Sequence, residues 1–369
     1  LKLYVNPGIR KLKRIVDKEF DRDFTVMHYT GNMLGIGCTS SSNIAIARIS
    51  KLKMRNDAAG FILLIPDRKW FDDQHIWVPD ELRRLMQQYY PGNLTIIFDI
   101  GKSHLDRFAV DRKIAFRVPV DPMLRVFLDM IGEPLISTSI NYTGLPPVTE
   151  VEKAQQFFSS WFDIAILPEL RSISPEAQPS TIVEYQSPGD QGNVPSALKC
   201  VREGSVPFYE VSQSFTSPKV TFVCTANICR SPIAEHLFKF YAKRHGMAFG
   251  GDSCGLIEGG GTISFNSLRL LVERGVEGAE GHVSKQIDMA LVNRSWLILT
   301  MEERQRDFLR QAFPLAEHKI FTLNETVGEK GDVSDPYGSG LDYYSSIYDQ
   351  IDDRIKRLIT LIKEDGIDF

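Results

Sequence analysis

Residues 219–232 read Lys-Val-Thr-Phe-Val-Cys-Thr-Ala-Asn-Ile-Cys-Arg-Ser-Pro, and no other stretch narrows the choice of fold so far. The β-branched and aromatic run Val220–Val223 reads as a buried strand. It delivers Cys224 to its end, Arg230 follows, and Ser231-Pro232 opens a helix. In a strand–loop–helix unit the loop N–H groups and the helix N-terminus converge on one point, which suits a phosphate dianion. The positive helix end and Arg230 favour the thiolate form of Cys224, a nucleophile. Arg230 can hold two phosphoryl oxygens with its planar fork, a geometry lysine does not offer. Against this stands the plain reading of a strand-end Cys as a small buried hydrophobe. The strand before the loop and the Ser-Pro helix start after it favour chemistry.

A second element lies downstream at Asp335-Pro336-Tyr337-Gly338, inside the turn-rich segment 331–340. Cleaving a phosphate ester requires a proton for the leaving group, and a carboxylic acid can supply it. Together the two elements, with Ile298-Leu-Thr-Met-Glu302, resemble the low-molecular-weight protein tyrosine phosphatase family over residues 219 to about 365. The resemblance implies Cys224 as nucleophile, Arg230 as phosphate clamp, and Asp335 as general acid and then base. It places Thr225, Ala226, Asn227, Ile228, Cys229 and Ser231 in the supporting loop. Asn227 would hold a strained backbone, since Asn tolerates left-handed conformations, and Ser231 would donate to the thiolate. Cys229 matches a second cysteine able to form a reversible disulfide with the nucleophile; a packed thiol is the alternative. No cofactor or metal is implied for this half.

The substrate reading turns on Ile228. Tyrosine phosphatases of this family carry isoleucine there, and a bacterial branch that dephosphorylates arginine carries threonine. Ile228 therefore favours phosphotyrosine. Thr225, His282-Val-Ser284 and the 321–340 region look more like the arginine branch. Tyr337 could supply one aromatic wall for a phenyl ring.

The chain's 369 residues suggest two or three domains. Strands alternate with helical patterns after residue 219: strand 220–224, helix 232–245, helix 264–275, strand 296–301, helix 302–312, strand 319–322 and a helix from about 342 to 363. This predicts an open parallel α/β sheet covered on both faces, with the Cys loop at a carboxyl strand end. The polar segment 212–218 reads as a linker, dividing a domain at 1–211 from one at 219–369. The five cysteines show no zinc or disulfide spacing, and Cys38, Cys200 and Cys254 read as buried thiols. No signal peptide or membrane-length apolar run is visible. A reducing cytoplasm is the expected setting, because the nucleophile must stay a thiol. A net charge of −4 gives no global drive toward nucleic acid.

Residues 1–211 read as mixed α/β, with helices at 6–19, 41–52, 79–89, 121–132 and 150–160. Expected strands are 24–28, 61–66, 94–99, 114–118, 164–167 and 181–185. Short segments in order, among them Tyr29–Gly37, Lys51–Arg55, Arg117-Val-Pro119, Thr138–Asn141, Pro179–Val183 and Arg202-Glu-Gly204, resemble the YrdC/YciO-like family that includes threonylcarbamoyl-adenylate synthases. The resemblance implies a cationic cavity for ATP, threonine and bicarbonate, and a role in tRNA modification. Lys53, Arg55, Ser139, Asn141 and Arg202 would face the nucleotide; Thr30 and Ser180 would lie near threonine. The entrance pattern departs from the synthases at Tyr29, Gly31, Asn32 and Leu34, and Met54 replaces a glycine. The expectation is a nucleotide- or RNA-binding relative with weakened synthase chemistry. The basic run Arg10–Arg14 reads as a solvated helix face, with RNA contact as the alternative.

The leading expectation is a protein tyrosine phosphatase fused to this domain, acting on a phosphorylated protein. The alternatives are a protein arginine phosphatase and a synthase with an accessory phosphatase.

Overall fold

The computed structural model describes residues 2–55, 58, 60–168, 174, 177–188 and 195–364. The chain divides into two units, one of residues 1–79 and 89–209, the other of 80–88 and 210–369.

Among the described residues of the first unit, ten strands form one mixed sheet. Their spatial order is Lys2–Val5, Ile164–Leu167, Val26–Tyr29, Leu34–Thr39, Leu135–Ser139, Ile62–Leu64, Lys113–Arg117, Leu94–Asp99, Thr181–Gln186 and Ala197–Arg202. The apolar runs expected as strands are strands: Val26, Leu64, Ile164 and Ile166 pack, with Leu135 of the unexpected Leu135–Ser139 strand, against Leu124, Phe127 and Leu128 of the Pro122–Ile131 helix. That helix carries its boundaries in its residues, with Asp121 capping Leu124 N at 2.7 Å and Gly132 closing it at φ +69°. The Leu34–Thr39 strand was not expected, since its glycines weaken strand propensity. Its Gly37 is required by packing: a Cβ there would lie 2.2 Å from the Ile136 carbonyl oxygen.

Three expectations need correction. Cys200 is half-buried, because its strand is at the sheet edge. The proposed linker is largely helical, over Phe208–Thr216, with Val211 buried, Ser212 and Ser214 half-buried and Gln213 exposed. Residues 80–88, assigned by sequence to the first domain, group with the second unit. There Gln88 Nε2 donates to Ser214 Oγ and the Asn293 carbonyl, both at 2.8 Å, and Trp296 Nε1 donates to Gln87 Oε1 at 3.1 Å. The Ile9–Lys18 helix buries Leu12 and Ile15 and leaves Arg10, Lys11, Lys13 and Arg14 exposed, as a solvated face requires.

The second unit holds a four-stranded parallel sheet among its described residues, ordered Gly250–Gly255, Lys219–Cys224, Ser295–Thr300, Ile320–Thr322. One face packs on the helices Arg230–Arg244, Phe265–Glu273 and Leu341–Lys363 through Phe222, Phe238, Leu271, Ile351 and Leu358. The other packs on Met289–Arg294 and Glu303–Ala312 through Val223, Ile298, Leu291 and Leu309. The central strand thus delivers Cys224 to the carboxyl edge of a sheet covered on both faces. Among the described residues no helix is long and apolar enough to cross a membrane.

Phe222 is fully buried in that central strand, with its ring 5.7 Å from Phe238. Phe222→Ala is expected to destabilise the second unit by about 3–5 kcal/mol. Denaturant unfolding followed by Trp296 fluorescence checks this; a loss below about 1 kcal/mol would mean that Phe222 is not central to this core.

Candidate active site

The turn from the Lys219–Cys224 strand into the Arg230–Arg244 helix is built around Asn227. Its φ of +57° lies in the left-handed region, and the side chain is fully buried. Asn227 Nδ2 donates to Ser231 Oγ at 3.0 Å and Ser253 Oγ at 2.8 Å, and its Oδ1 accepts from Lys285 N at 3.0 Å. Ser253 Oγ in turn donates to Glu235 Oε2 at 2.5 Å, and His282 Nε2 lies 2.8 Å from the Asn227 carbonyl. These bonds offset the cost of a left-handed non-glycine residue, about 1–2 kcal/mol. Gly255 lets the loop approach: a Cβ there would sit 2.8 Å from the Thr225 carbonyl oxygen.

Cys224 is buried, with Sγ 3.1 Å from Ser231 Oγ. A hydroxyl at that distance can donate to a thiolate. Cys229 Sγ lies 3.3 Å from Tyr344 OH, and burial pushes its thiol up. Ile228 is half-buried against the core, and its carbonyl accepts from Ser264 N at 2.7 Å.

Arg230 is only 1% exposed. Its Nη1 donates to Glu302 Oε1 at 2.6 Å and to the Val333 carbonyl at 2.8 Å; its Nη2 donates to Asp335 Oδ2 at 2.7 Å. Its Nε is buried without a partner. Asp335 Oδ1 accepts from Tyr337 N at 3.2 Å, which holds the carboxyl toward the loop. Tyr337 itself is exposed. The structure therefore brings Arg230, Asp335, Cys224 and Ser231 to one edge of the sheet.

Several members of this site have no assigned role in the sequence reading: Glu235, Ser253, Glu302, Gln305 and Tyr344. Glu302 caps the Glu303–Ala312 helix in a capping box with Gln305, and Gln305 Nε2 reaches Thr225 Oγ1 at 3.2 Å. The spacing Glu302-x-x-Gln305 after a strand is a readable signal, but of a helix start; its second use, as a partner to Arg230, depends on the fold.

In the first unit the expected residues fall into separate groups. Lys53 Nζ donates to the Asn141 carbonyl at 2.9 Å and to Asn141 Oδ1 at 2.5 Å, and Ser139 Oγ donates to Asn141 Oδ1 at 2.6 Å. Burial, then the nearby Arg55 charge, lowers the Lys53 amine to about 8. Arg202 donates to the Ser180 carbonyl at 2.8 Å, and Ser180 Oγ meets Thr95 Oγ1 at 2.9 Å. Thr30 Oγ1 donates to Asn32 Oδ1 at 2.9 Å, and Asn32 Oδ1 also accepts from Arg117 Nη2 at 2.9 Å. Arg55 stands over Phe61 and lines a cleft of about 600 Å³ with Ser50, Lys51, Met54 and Arg107. Met54 has φ +49° and an exposed side chain, so it adopts the backbone that glycine would take freely. Asn56 lies outside the described residues.

Burial alone would raise the Glu302 carboxyl, but the hydrogen bonds and charges of Arg304 and Arg230 outweigh it and hold the group below its ordinary 4.5. A carboxyl lowered in the folded state stabilises fully above its unfolded value, and the contribution is lost as pH falls through the folded value. The stability advantage of wild type over Glu302→Gln at pH 7 is therefore expected to narrow below about pH 4.5. Unfolding free energies of both proteins at pH 7, 5 and 3.5 check this; a constant gap would show that the carboxylate charge at Glu302 is not what Arg230 uses.

Comparison with known proteins agrees with this geometry. A family model described as low molecular weight phosphotyrosine protein phosphatase matches residues 219–367, and the Sua5/YciO/YrdC model, described as telomere recombination, matches residues 21–204. A protein-arginine-phosphatase of Bacillus subtilis (strain 168) is 34% identical over 148 residues, spanning 40% of this chain and 97% of the relative. The low molecular weight protein-tyrosine-phosphatase PtpB of Staphylococcus haemolyticus (strain JCSC1435) is 37% identical over 134 residues, 36% of this chain and 91% of that protein. A crystal structure of a low molecular weight protein tyrosine phosphatase from T. tengcongensis matches with 32% identity and a TM-score of 0.38, covering 39% of this chain and 99% of its own. Residues 21–204 match the Sua5/YciO/YrdC model, and through residues 219–367 the chain belongs to the low molecular weight phosphotyrosine protein phosphatase family.

Proposed function

We propose that the second unit hydrolyses phosphotyrosine in proteins through a cysteinyl-phosphate intermediate. The observation that carries this reading is the Arg230 guanidinium. Its buried Nε has no partner and lies on the same side as Nη2. A phosphoryl group bound there would satisfy both N–H groups in one bidentate contact. It would take Nη2 from Asp335 and free that carboxyl for the leaving group.

The Cys224 thiolate attacks phosphorus, the P–O bond to the phenol breaks, and Asp335 gives its proton to the phenolic oxygen. In the second step the Asp335 carboxylate takes a proton from water as that water attacks the phosphocysteine. The Cys224 thiolate then leaves, and Ser231 Oγ at 3.1 Å supports its charge. Ile228 supports phosphotyrosine over phosphoarginine: an apolar side chain at the loop favours an aryl group over a guanidinium that needs hydrogen-bond acceptors. The relatives' names include both activities.

Matched phosphotyrosine and phosphoarginine peptides separate the two substrates. Wild type is expected to prefer phosphotyrosine, Ile228→Thr to shift the kcat/KM ratio toward phosphoarginine by about tenfold, and Cys224→Ser to remove turnover of both while staying folded. A wild-type preference for phosphoarginine would overturn the substrate assignment, and activity in Cys224→Ser would overturn the mechanism.

For the first unit we infer a nucleotide- or RNA-binding role without threonylcarbamoyl-adenylate synthesis. The cleft lined by Lys51, Arg55 and Arg107 supports binding of a polyanion. Thr30 supports the lack of synthesis, because its hydroxyl donates to Asn32 within its own loop. With ATP, threonine and bicarbonate, the full chain is expected to release no pyrophosphate above background. Threonine-dependent release would reverse this reading.

A further inference from the structure

Behind the phosphate loop lies a cluster that the phosphatase mechanism does not use in full. Glu235 and His236 sit side by side on the Arg230–Arg244 helix, and His282 comes from the segment before the Met289–Arg294 helix. Each offers one donor atom, and these atoms all lie within 4.8 Å of one another. Glu235 and His236 are buried and His282 is half-buried. We propose that Glu235, His236 and His282 bind a divalent transition metal, with zinc as the fitting ion, and that its occupation loosens the phosphate loop.

Two histidines and a carboxylate form a zinc donor set that leaves a fourth position open. The surroundings are those of ligands already oriented for a metal. His282 Nε2 lies 2.8 Å from the Asn227 carbonyl oxygen. A carbonyl only accepts, so Nε2 carries the proton, and Nδ1 of the neutral ring keeps a lone pair. A backbone carbonyl holding the far nitrogen is the usual outer contact of a metal-binding histidine. Glu235 Oε2 accepts from Ser253 Oγ at 2.5 Å, and its Oε1 is paired with Lys239 Nζ, which a metal ion would displace. The charges around His236 are Glu235 and Glu280 against Lys239. The acidic excess favours a dication.

Zinc bonds of about 2.0–2.1 Å place tetrahedral donors roughly 3.3 Å apart, so the cluster must close on the ion. The half-buried His282 can move most easily, and its movement draws Nε2 from the Asn227 carbonyl. Turning Glu235 toward the metal releases Ser253, which holds Asn227 Nδ2. Both changes act on the residue that sets the loop's left-handed turn.

The test uses the full chain with cobalt and zinc. One cobalt ion per chain is expected, with a ligand-field spectrum that lacks thiolate charge transfer. Cys224→Ser should keep this spectrum, and His236→Ala should weaken binding at least about tenfold. His236→Gln, which preserves bulk in the helix, should weaken binding likewise. Zinc at saturation should lower wild-type turnover reversibly with a chelator and leave His236→Ala turnover unchanged. Equal binding by wild type and both His236 variants would overturn the site, as would a thiolate band lost in Cys224→Ser. Binding without any change in turnover would overturn the coupling to the loop. Binding is read without substrate, so its failure leaves the phosphatase reading untouched.

Discussion

A guanidinium held 1% exposed must find partners or forfeit several kcal/mol of solvation, and Arg230 organises the second unit around that requirement. Glu302 arrives from the end of the Ser295–Thr300 strand, the Val333 carbonyl and Asp335 from the loop before the last helix. Two segments distant in sequence are thus fixed to the first turn of one helix. The arrangement is asymmetric. Nη1 is saturated by protein, whereas Nε has no partner and Nη2 is held by a carboxylate that is nearly half exposed. The saturated side anchors the group. In the proposed reaction an oxyanion on the other side would exchange one charge-assisted hydrogen bond for two, and the displaced Asp335 is the acid that this reaction needs next.

The loop beside it is rigid for a different reason. Asn227 occupies a backbone region in which few residues are comfortable, and it stays there because Ser231, Ser253, Lys285 and His282 engage both its side chain and its backbone. The bonds to Ser231 and Ser253 are made out of water, where an unsatisfied partner is expensive, and those from Lys285 and His282 are partly buried. A network of this kind is either complete or unstable, so the loop is held in one shape before substrate arrives.

How much of this could be read from the sequence depended on whether a residue's role is local. Val220–Val223, Ile298–Thr300 and the apolar stripes of the Arg230–Arg244 and Leu341–Lys363 helices announced themselves through period and composition, and the parallel sheet followed from their alternation. The Gly250–Gly255 strand did not, because Gly-Gly-Asp-Ser-Cys-Gly carries no strand propensity. Its glycines serve a neighbour: Gly255 lets the loop backbone pass where a Cβ would collide with the Thr225 carbonyl. The Phe208–Thr216 helix was hidden in the same way, since a polar helix with few buried residues looks like a linker.

The same distinction separates the two halves of each candidate site. Cys224, Arg230 and Asp335 could be named because the proposed chemistry demands those residue types at those places. Glu302, Ser253 and Glu235 were not, because a carboxylate or hydroxyl that supports another side chain has no spacing of its own. In the first unit the relation runs the other way. Lys53, Ser139 and Asn141 were named from a pattern and do meet, yet Thr30, named from the same pattern, donates its hydroxyl to Asn32. Asn32 is one of the positions at which the sequence departs from the synthase entrance. Its Oδ1 accepts from both Thr30 Oγ1 and the buried Arg117 Nη2, so one side chain occupies a donor of each. Retained residues therefore do not guarantee a retained site: Arg230 Nε keeps a donor without a protein partner, whereas Thr30 and Arg117 both donate to Asn32.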